Sequence, residues 1–224
     1  MQSNVCVVGG GIVGLSSAYF LAKTGHSVTV IERDSIGSHA SGFAYGSLSP
    51  LGEAGQADDI LPELEIARMG MDIHTQFSKE LFESTGINTD HRFRPALDLV
   101  FTESEASEAK KQVEWRSDEK GYRVEWLSRE EALQLVPHIS KEILGAVYTE
   151  GVADVEPYKL LLALTQACEL LGVNIVHGDV SGVIREGTTI SITTPSGVRT
   201  CENLVLAMGP WMGKTAEWLG IDVP

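Results

Sequence analysis

The six residues Gly9-Gly10-Gly11-Ile12-Val13-Gly14 restrict this chain more than any other part of it. They follow an apolar run, Val5 to Val8, and lead into a segment ending at Lys23 in which Ile12, Leu15, Tyr19 and Ala22 recur at helical spacing. A second apolar run, Val28 to Ile31, ends in Glu32. The pattern predicts a strand, a helix stopped at Gly25 and a second buried strand, all within about 30 residues, the size of a βαβ unit. In the spacing G-x-G-x-x-G the first glycine permits a tight turn. The second lets the backbone approach a pyrophosphate, and the third lets the helix pack on the strand. Free N–H groups at the helix start, together with the helix dipole, favour negative charge there. Glu32, 18 residues after Gly14, stands where a carboxylate accepts hydrogen bonds from ribose hydroxyls. These residues predict a dinucleotide site. A P-loop would need Lys where Leu15 stands, so phosphoryl transfer is not expected.

The fingerprint does not separate nicotinamide from flavin dinucleotides, but the sequence after it does. A nicotinamide domain usually continues directly into further βα units. Here Glu32-Arg33 gives way to a small-residue loop, Ser35 to Pro50, whose backbone can run close beside an extended cofactor. Beyond it the pattern predicts a long helix over about 61–84, a β-rich patch near 97–102 and a charged helix over 103–120. A strand over 123–127 and a helix capped at Ser128 follow. The sheet resumes with a helix from Pro157 to Leu171 and a strand over 173–176. A meander over 180–184, 189–194 and 198–201 and a last strand over 204–207 complete it. Residues 1–50 and 151–224 are therefore expected to form one cofactor-binding domain. Residues 51–150 are expected to be part of an inserted substrate or cap domain.

Charge and cysteine usage exclude other classes. The 17 Lys and Arg against 31 Asp and Glu leave a net charge of −14, which offers no basic footprint for nucleic acid and disfavours an anionic membrane surface. No apolar window approaches the roughly 18 residues of a transmembrane segment, and no secretory leader is expected. Cys6, Cys168 and Cys201 have neither C-x-x-C nor metal-type spacing, which predicts packed, reduced thiols and a cytoplasmic setting. There is no G-x-S-x-G elbow, and the six histidines contain no H-x-x-x-H pair. Asp58 and Asp59 read as a solvated helix cap. No metal site is expected, and no catalytic residue is assigned.

Six segments in order carry a family resemblance. They are Val7 to Gly14, Ile31-Glu32-Arg33, Ala40 to Pro50, Gly151 with Asp154-Val155-Glu156-Pro157, Gly178-Asp179-Val180, and Ala207-Met208-Gly209-Pro210-Trp211. With them the chain resembles the FAD-dependent oxidoreductases of the D-amino-acid oxidase family, in the branch that holds glycine oxidase and D-amino-acid dehydrogenase. The resemblance implies an α/β fold: a Rossmann-like FAD-binding domain of the glutathione-reductase type, with a parallel sheet plus β-meander and an inserted α+β substrate-domain part. It implies FAD as cofactor. Gly9, Gly11, Ile12, Val13 and Gly14 would lie at the pyrophosphate, and Glu32 and Arg33 at the adenosine ribose. Ala40, Ser41, Tyr45, Gly46 and Ser47 would follow the cofactor toward its isoalloxazine ring. Val180 would present its backbone to the adenine, and Ala207 and Gly209 would form a close turn near the cofactor. Trp211 reads equally as a core aromatic or a cofactor neighbour. His39 lies seven residues before Gly46, unlike the histidine of the covalently flavinylated branch. A dissociable FAD and a solvent-facing His39 are therefore expected.

The implied activity is oxidation of the amine of glycine, sarcosine or a D-amino acid to an imine, by hydride transfer to flavin. A 2-hydroxy acid dehydrogenase of the same fold and an FAD-binding chain without turnover stay open as alternatives. Substrate binding calls for a carboxylate clamp, usually Arg. The resemblance implies that this Arg lies beyond Pro224, and Arg68, Arg92 and Arg94 are expected at the surface. A remainder of about 100 residues or more is expected, judged from usual domain size, in the same or a second polypeptide. A homo-oligomer is also left open.

Overall fold

The computed structural model describes residues 4–53, 61–117 and 119–221; Asp58 and Asp59 lie outside them. Strand β1 (Asn4–Val8), helix α1 (Ile12–Lys23) and β2 (Ser27–Glu32) come first, followed by a 3-10 turn at Ala40–Phe43. Next are β3 (Ser47–Leu48), α2 (Pro50–Glu53), α3 (Leu61–Thr85), β4 (Arg92–Phe93), β5 (Ala96–Val100) and α4 (Glu103–Arg116). Then come β6 (Arg123–Ser128), α5 (Arg129–Leu135), β7 (Gly145–Glu150), β8 (Ala153–Asp154) and α6 (Pro157–Leu170). Strands β9 (Asn174–His177), β10 (Gly182–Glu186), β11 (Thr189–Thr194), β12 (Gly197–Cys201) and β13 (Asn203–Leu206) lead to a second 3-10 turn, Gly209–Trp211, and α7 (Lys214–Leu219). The chain divides into two compact units. The first comprises Met1–Tyr45, Ser78–Thr89 and Glu156–Pro224, and the second Gly46–Phe77 and Asp90–Val155.

In the first unit, β13, β1, β2 and β9 form a parallel sheet in that order. The inner strands β1 and β2 are apolar almost throughout because both faces of the sheet are covered. On one face Cys6, Val8 and Ile31 pack with Val180, Val183, Ile192 and Cys201 from the antiparallel meander β10–β11–β12 and its approach. Val5 and Val7 alternate to the opposite face and are equally buried. Helices α1 and α6 pack on each other, with Leu15, Ala18, Leu164 and Ala167 all at 2% exposure or less. The Cys168 thiol reaches the Leu15 carbonyl at 3.6 Å. Gly25, at φ +89°, turns the chain out of α1. Pro157 opens α6 behind Glu156, whose carboxylate accepts from the Tyr158 and Lys159 N–H groups. All three cysteines are free and buried. Burial, with Cys201 alongside, pushes the Cys6 thiol up to about 12. Burial does the same to Cys168, also to about 12.

The second unit holds two antiparallel sheets, β5–β7–β6 and the short β3–β8–β4. Val124 and Val147 of the larger sheet pack with Leu51, Leu64 and the α4 residues Ala109 and Val113. Ala146 and Leu127 pack with Ala132 of α5 and with Ile143. Ser128 and Glu131 form the capping box that the sequence predicts. A second box, Thr102 with Glu105, starts α4. Thr102 therefore leaves the strand, which runs Ala96–Val100. Helix α4 ends at Arg116 rather than Lys120, and the Ser117 hydroxyl donates back to the Glu114 carbonyl at 3.1 Å. Among the described residues no helix is long and apolar enough to cross a membrane.

Candidate functional site

A cavity of about 360 Å³ opens at the C-terminal ends of β1, β2 and β13, and its walls come entirely from the first unit. That is where open parallel sheets bind their ligands. The glycine turn shapes it. Gly9 sits at φ +108°, and a Cβ there would run into the Ala207 carbonyl. A Cβ on Gly14 would run into the Gly9 carbonyl, so the bare positions let α1 close on the turn. Gly11 is the N-cap of α1 and supplies no side-chain cap. The Ile12 N–H instead donates to the Ser41 hydroxyl at 3.0 Å. That hydroxyl keeps its own proton to donate onward to an anion.

Glu32 is tied into the turn. Its Oε2 accepts from the Gly10 N–H at 2.6 Å and its Oε1 from the Asp34 N–H at 2.8 Å. A carboxylate has about four lone-pair sites, so capacity remains for ligand hydroxyls. Beside it the Arg33 guanidinium lies 4.2 Å from the centre of the Trp211 ring, and its Nε donates to Asp34 Oδ2 at 3.0 Å. His39 Nε2 pairs with the same Asp34 oxygen at 2.7 Å, and its ring meets Trp211 edge-on at 4.8 Å. The bonds from His39 and Arg33 hold the Asp34 carboxyl below the usual carboxylate range.

Most of the sequence-predicted site residues meet in this wall. Gly9, Gly11, Ile12 and Val13 line it from the turn, and Glu32, Arg33, Ala40 and Ser41 from β2 and the following loop. Val180, Ala207 and Gly209 line it from the far side. Gly14 is buried beneath the turn. Tyr45 is outside the wall at 96% exposure. Gly46 and Ser47 belong to the second unit, where the Gly46 carbonyl accepts from the Val155 N–H and Ser47 begins β3. His39 is exposed, as the sequence reading expects; it also lines the cavity and is held by Asp34 and Trp211, where its loop folds back over the start of α1. Trp211 is a cavity residue. Sequence reading missed Met212, Lys214 and Trp218, which also line the cavity. Only the proximity of the Gly209-Pro210-Trp211 turn hinted at them.

A family model described as FAD dependent oxidoreductase matches residues 4–224. Glycine oxidase of Bacillus subtilis is 29% identical over 217 residues, covering 96% of this chain and 56% of that protein. Glycine oxidase of Bacillus licheniformis is 30% identical over 217 residues with the same coverage. The crystal structure of glycine oxidase from Geobacillus kaustophilus superposes with a TM-score of 0.91 at 27% identity, over 99% of this chain and 60% of that one. The chain thus spans 56% of the length of the first two relatives.

Proposed function

This chain belongs to the family of FAD-dependent oxidoreductases of the D-amino-acid oxidase type, and on that premise we propose that it holds FAD in the cavity above the glycine turn and forms the cofactor-binding part of an enzyme that oxidises the amine of glycine, sarcosine or a D-amino acid. The observation that carries this reading is the 2.6 Å bond from the Gly10 N–H to Glu32. It ties the acid at the end of β2 to the turn before α1, so that a carboxylate for ribose hydroxyls and a helix start for a diphosphate share one wall.

The residues divide the work by chemistry. The Ile12 and Val13 end of α1, with Gly11 bare beside it and the Ser41 hydroxyl, receives the diphosphate. Gly9 and Gly14 keep that turn tight against Ala207. Glu32 would take the ribose hydroxyls, and Arg33, with its guanidinium 4.2 Å from the centre of the Trp211 ring, would close the adenosine end. Val180 would stand at the adenine, while Ala40, Ala207 and Gly209 would leave room for the chain of the cofactor. Tyr45, Gly46 and Ser47 are assigned to the flavin end by the family resemblance alone. Ile31, Leu206 and Met208 add an apolar stretch to the wall. His39 is engaged by Asp34, which supports a dissociable cofactor. FAD bound there would supply the electron acceptor for removal of hydride from an amine-bearing carbon. The buried free thiols support a reducing, cytoplasmic setting.

Titration of the purified chain with FAD, followed by quenching of flavin fluorescence, tests the site. Saturable binding and a yellow protein are expected; a chain that stays colourless in excess FAD ends the reading. Anaerobic addition of glycine, sarcosine and D-alanine tests the amine chemistry. Bleaching by at least one is expected, and bleaching by a 2-hydroxy acid alone would move the assignment to that class.

A further inference from the structure

Among the described residues, three basic side chains line the cavity: Arg33, His39 and Lys214. Asp34 engages the first two. Arg33 Nε donates to its Oδ2 at 3.0 Å, and His39 Nε2 lies 2.7 Å from the same oxygen. Lys214 is partly buried, yet its ammonium has neither an ion pair nor a hydrogen bond among the described residues. In a chain with 31 acidic residues against 17 basic ones, a cation without an acid beside it stands out. The backbone sets its place. The 3-10 turn Gly209–Trp211 runs into α7 through Met212 and Gly213, both in helical geometry. The Met212 N–H donates to the Gly209 carbonyl and the Thr215 N–H to the Met212 carbonyl. Trp211, Lys214 and Trp218 therefore recur at i, i+3 and i+7, and all three line the cavity. Thr215, on another face, is 2% exposed, and its hydroxyl donates to the Met212 carbonyl at 2.6 Å. Leu219 packs on the core shared with the meander. The segment leading into this turn abuts the glycine turn, where the Ala207 carbonyl fills the space that a side chain on Gly9 would need.

We propose that the Lys214 ammonium binds the diphosphate bridge of the dinucleotide. The ligand rests on the reading of this cavity as the FAD site; the demand for an anion rests on the unpaired lysine. A dinucleotide diphosphate is doubly charged. The start of α1 offers it about half an elementary charge, and the Ser41 hydroxyl offers a neutral donor. Glu32 and Asp179 stand in the same wall and repel it. The Arg33 charge is balanced by Asp34. Lys214 is the full positive charge left over, and it turns a repulsive wall into an attractive one. An ammonium suits the task, as a compact charge with three donors on a long stem. Trp211 and Trp218 on either side line that stem and lower the local dielectric, which strengthens the pairing.

Equilibrium titration of the full chain with FAD, ADP and adenosine tests this, because ADP keeps the diphosphate and adenosine lacks it. Lys214→Gln is expected to weaken FAD and ADP alike by about tenfold or more, the scale of a lost charge-assisted hydrogen bond, and to leave adenosine unchanged. Lys214→Arg is expected to recover most of that loss. FAD and ADP affinities that survive Lys214→Gln would overturn the proposal. So would an adenosine affinity that falls with them, which is what a lysine that only supports the fold would produce. Amine acetylation of the wild-type chain, read at Lys214 by mass spectrometry, decides even if a variant fails to fold. Saturating ADP is expected to slow acetylation of Lys214 and saturating adenosine is not; equal rates with the two would overturn the assignment. The same samples keep the two readings apart. FAD binding that is indifferent to Lys214 removes only the lysine, and protection of Lys214 by ADP in a chain that does not bind FAD removes only the flavin site.

Discussion

Gly11 and Glu32 are where single substitutions are expected to separate the proposed cofactor site from the fold. Gly11 has an extended backbone, φ −78° and ψ −176°, which valine also adopts. A Cβ there meets only Ser41, with Oγ at 3.0 Å. Gly11→Val is therefore expected to leave the far-UV circular dichroism unchanged while abolishing saturable FAD binding; retained binding would show that the diphosphate lies elsewhere. Glu32→Ala removes the acceptor for the Gly10 and Asp34 N–H groups as well as for the ribose. It is expected to weaken FAD by about 1–3 kcal/mol, the range for hydrogen bonds to a charged group, read from the fluorescence titration. The places of both residues, at the start of α1 and at the end of β2, were legible in the sequence because a fixed spacing marks them. The contacts of His39 were not, since no pattern along the chain tells that its ring turns toward Trp211, 172 positions later.

At the scale of elements, caps were the most readable signal. Ser128-Arg129-Glu130-Glu131 announces a helix start, and the structure shows both halves of the box: the Ser128 hydroxyl accepting from the Glu131 N–H at 3.3 Å, and Glu131 Oε2 accepting from the Ser128 N–H at 2.8 Å. Ser128→Ala is expected to cost about 1 kcal/mol, as for other N-cap losses; thermal unfolding followed by circular dichroism checks it. An unchanged midpoint would mean that α5 is held by its packing on β6 and β7 alone. Thr102 and Glu105 have the same signature, yet β propensity drew Thr102 into the predicted strand. The hydroxyl's hydrogen bond decides for the cap, because it satisfies an N–H that the helix start otherwise leaves open.

Across the whole molecule, acid is expected to act through a histidine pair that no periodicity reveals. His74 and His91 stack at 5.7 Å with planes 12° apart, and His74 Nδ1 and His91 Nε2 are buried without hydrogen-bond partners among the described residues. Burial lowers both imidazoles from their ordinary value, and the pair adds mutual repulsion at His74, while Asp154 partly opposes the shift at His91. The folded state thus binds fewer protons than the unfolded one, so stability is full above about pH 6.5 and declines as pH falls below it. The urea midpoint is expected to drop between pH 7.5 and 5.5, and His74→Gln with His91→Asn is expected to flatten that drop. An equal drop in the double variant would assign it to other groups. The turn and the caps were set by the sequence alone, because each is a local contest among backbone groups within a few residues, and the acid that ends β2 was marked by its spacing from the turn. The order β13–β1–β2–β9, the return of His39 over α1 and the facing of His74 to His91 were decided only in the tertiary structure. They depend on which distant apolar faces bury one another, and that choice leaves no periodicity in the chain.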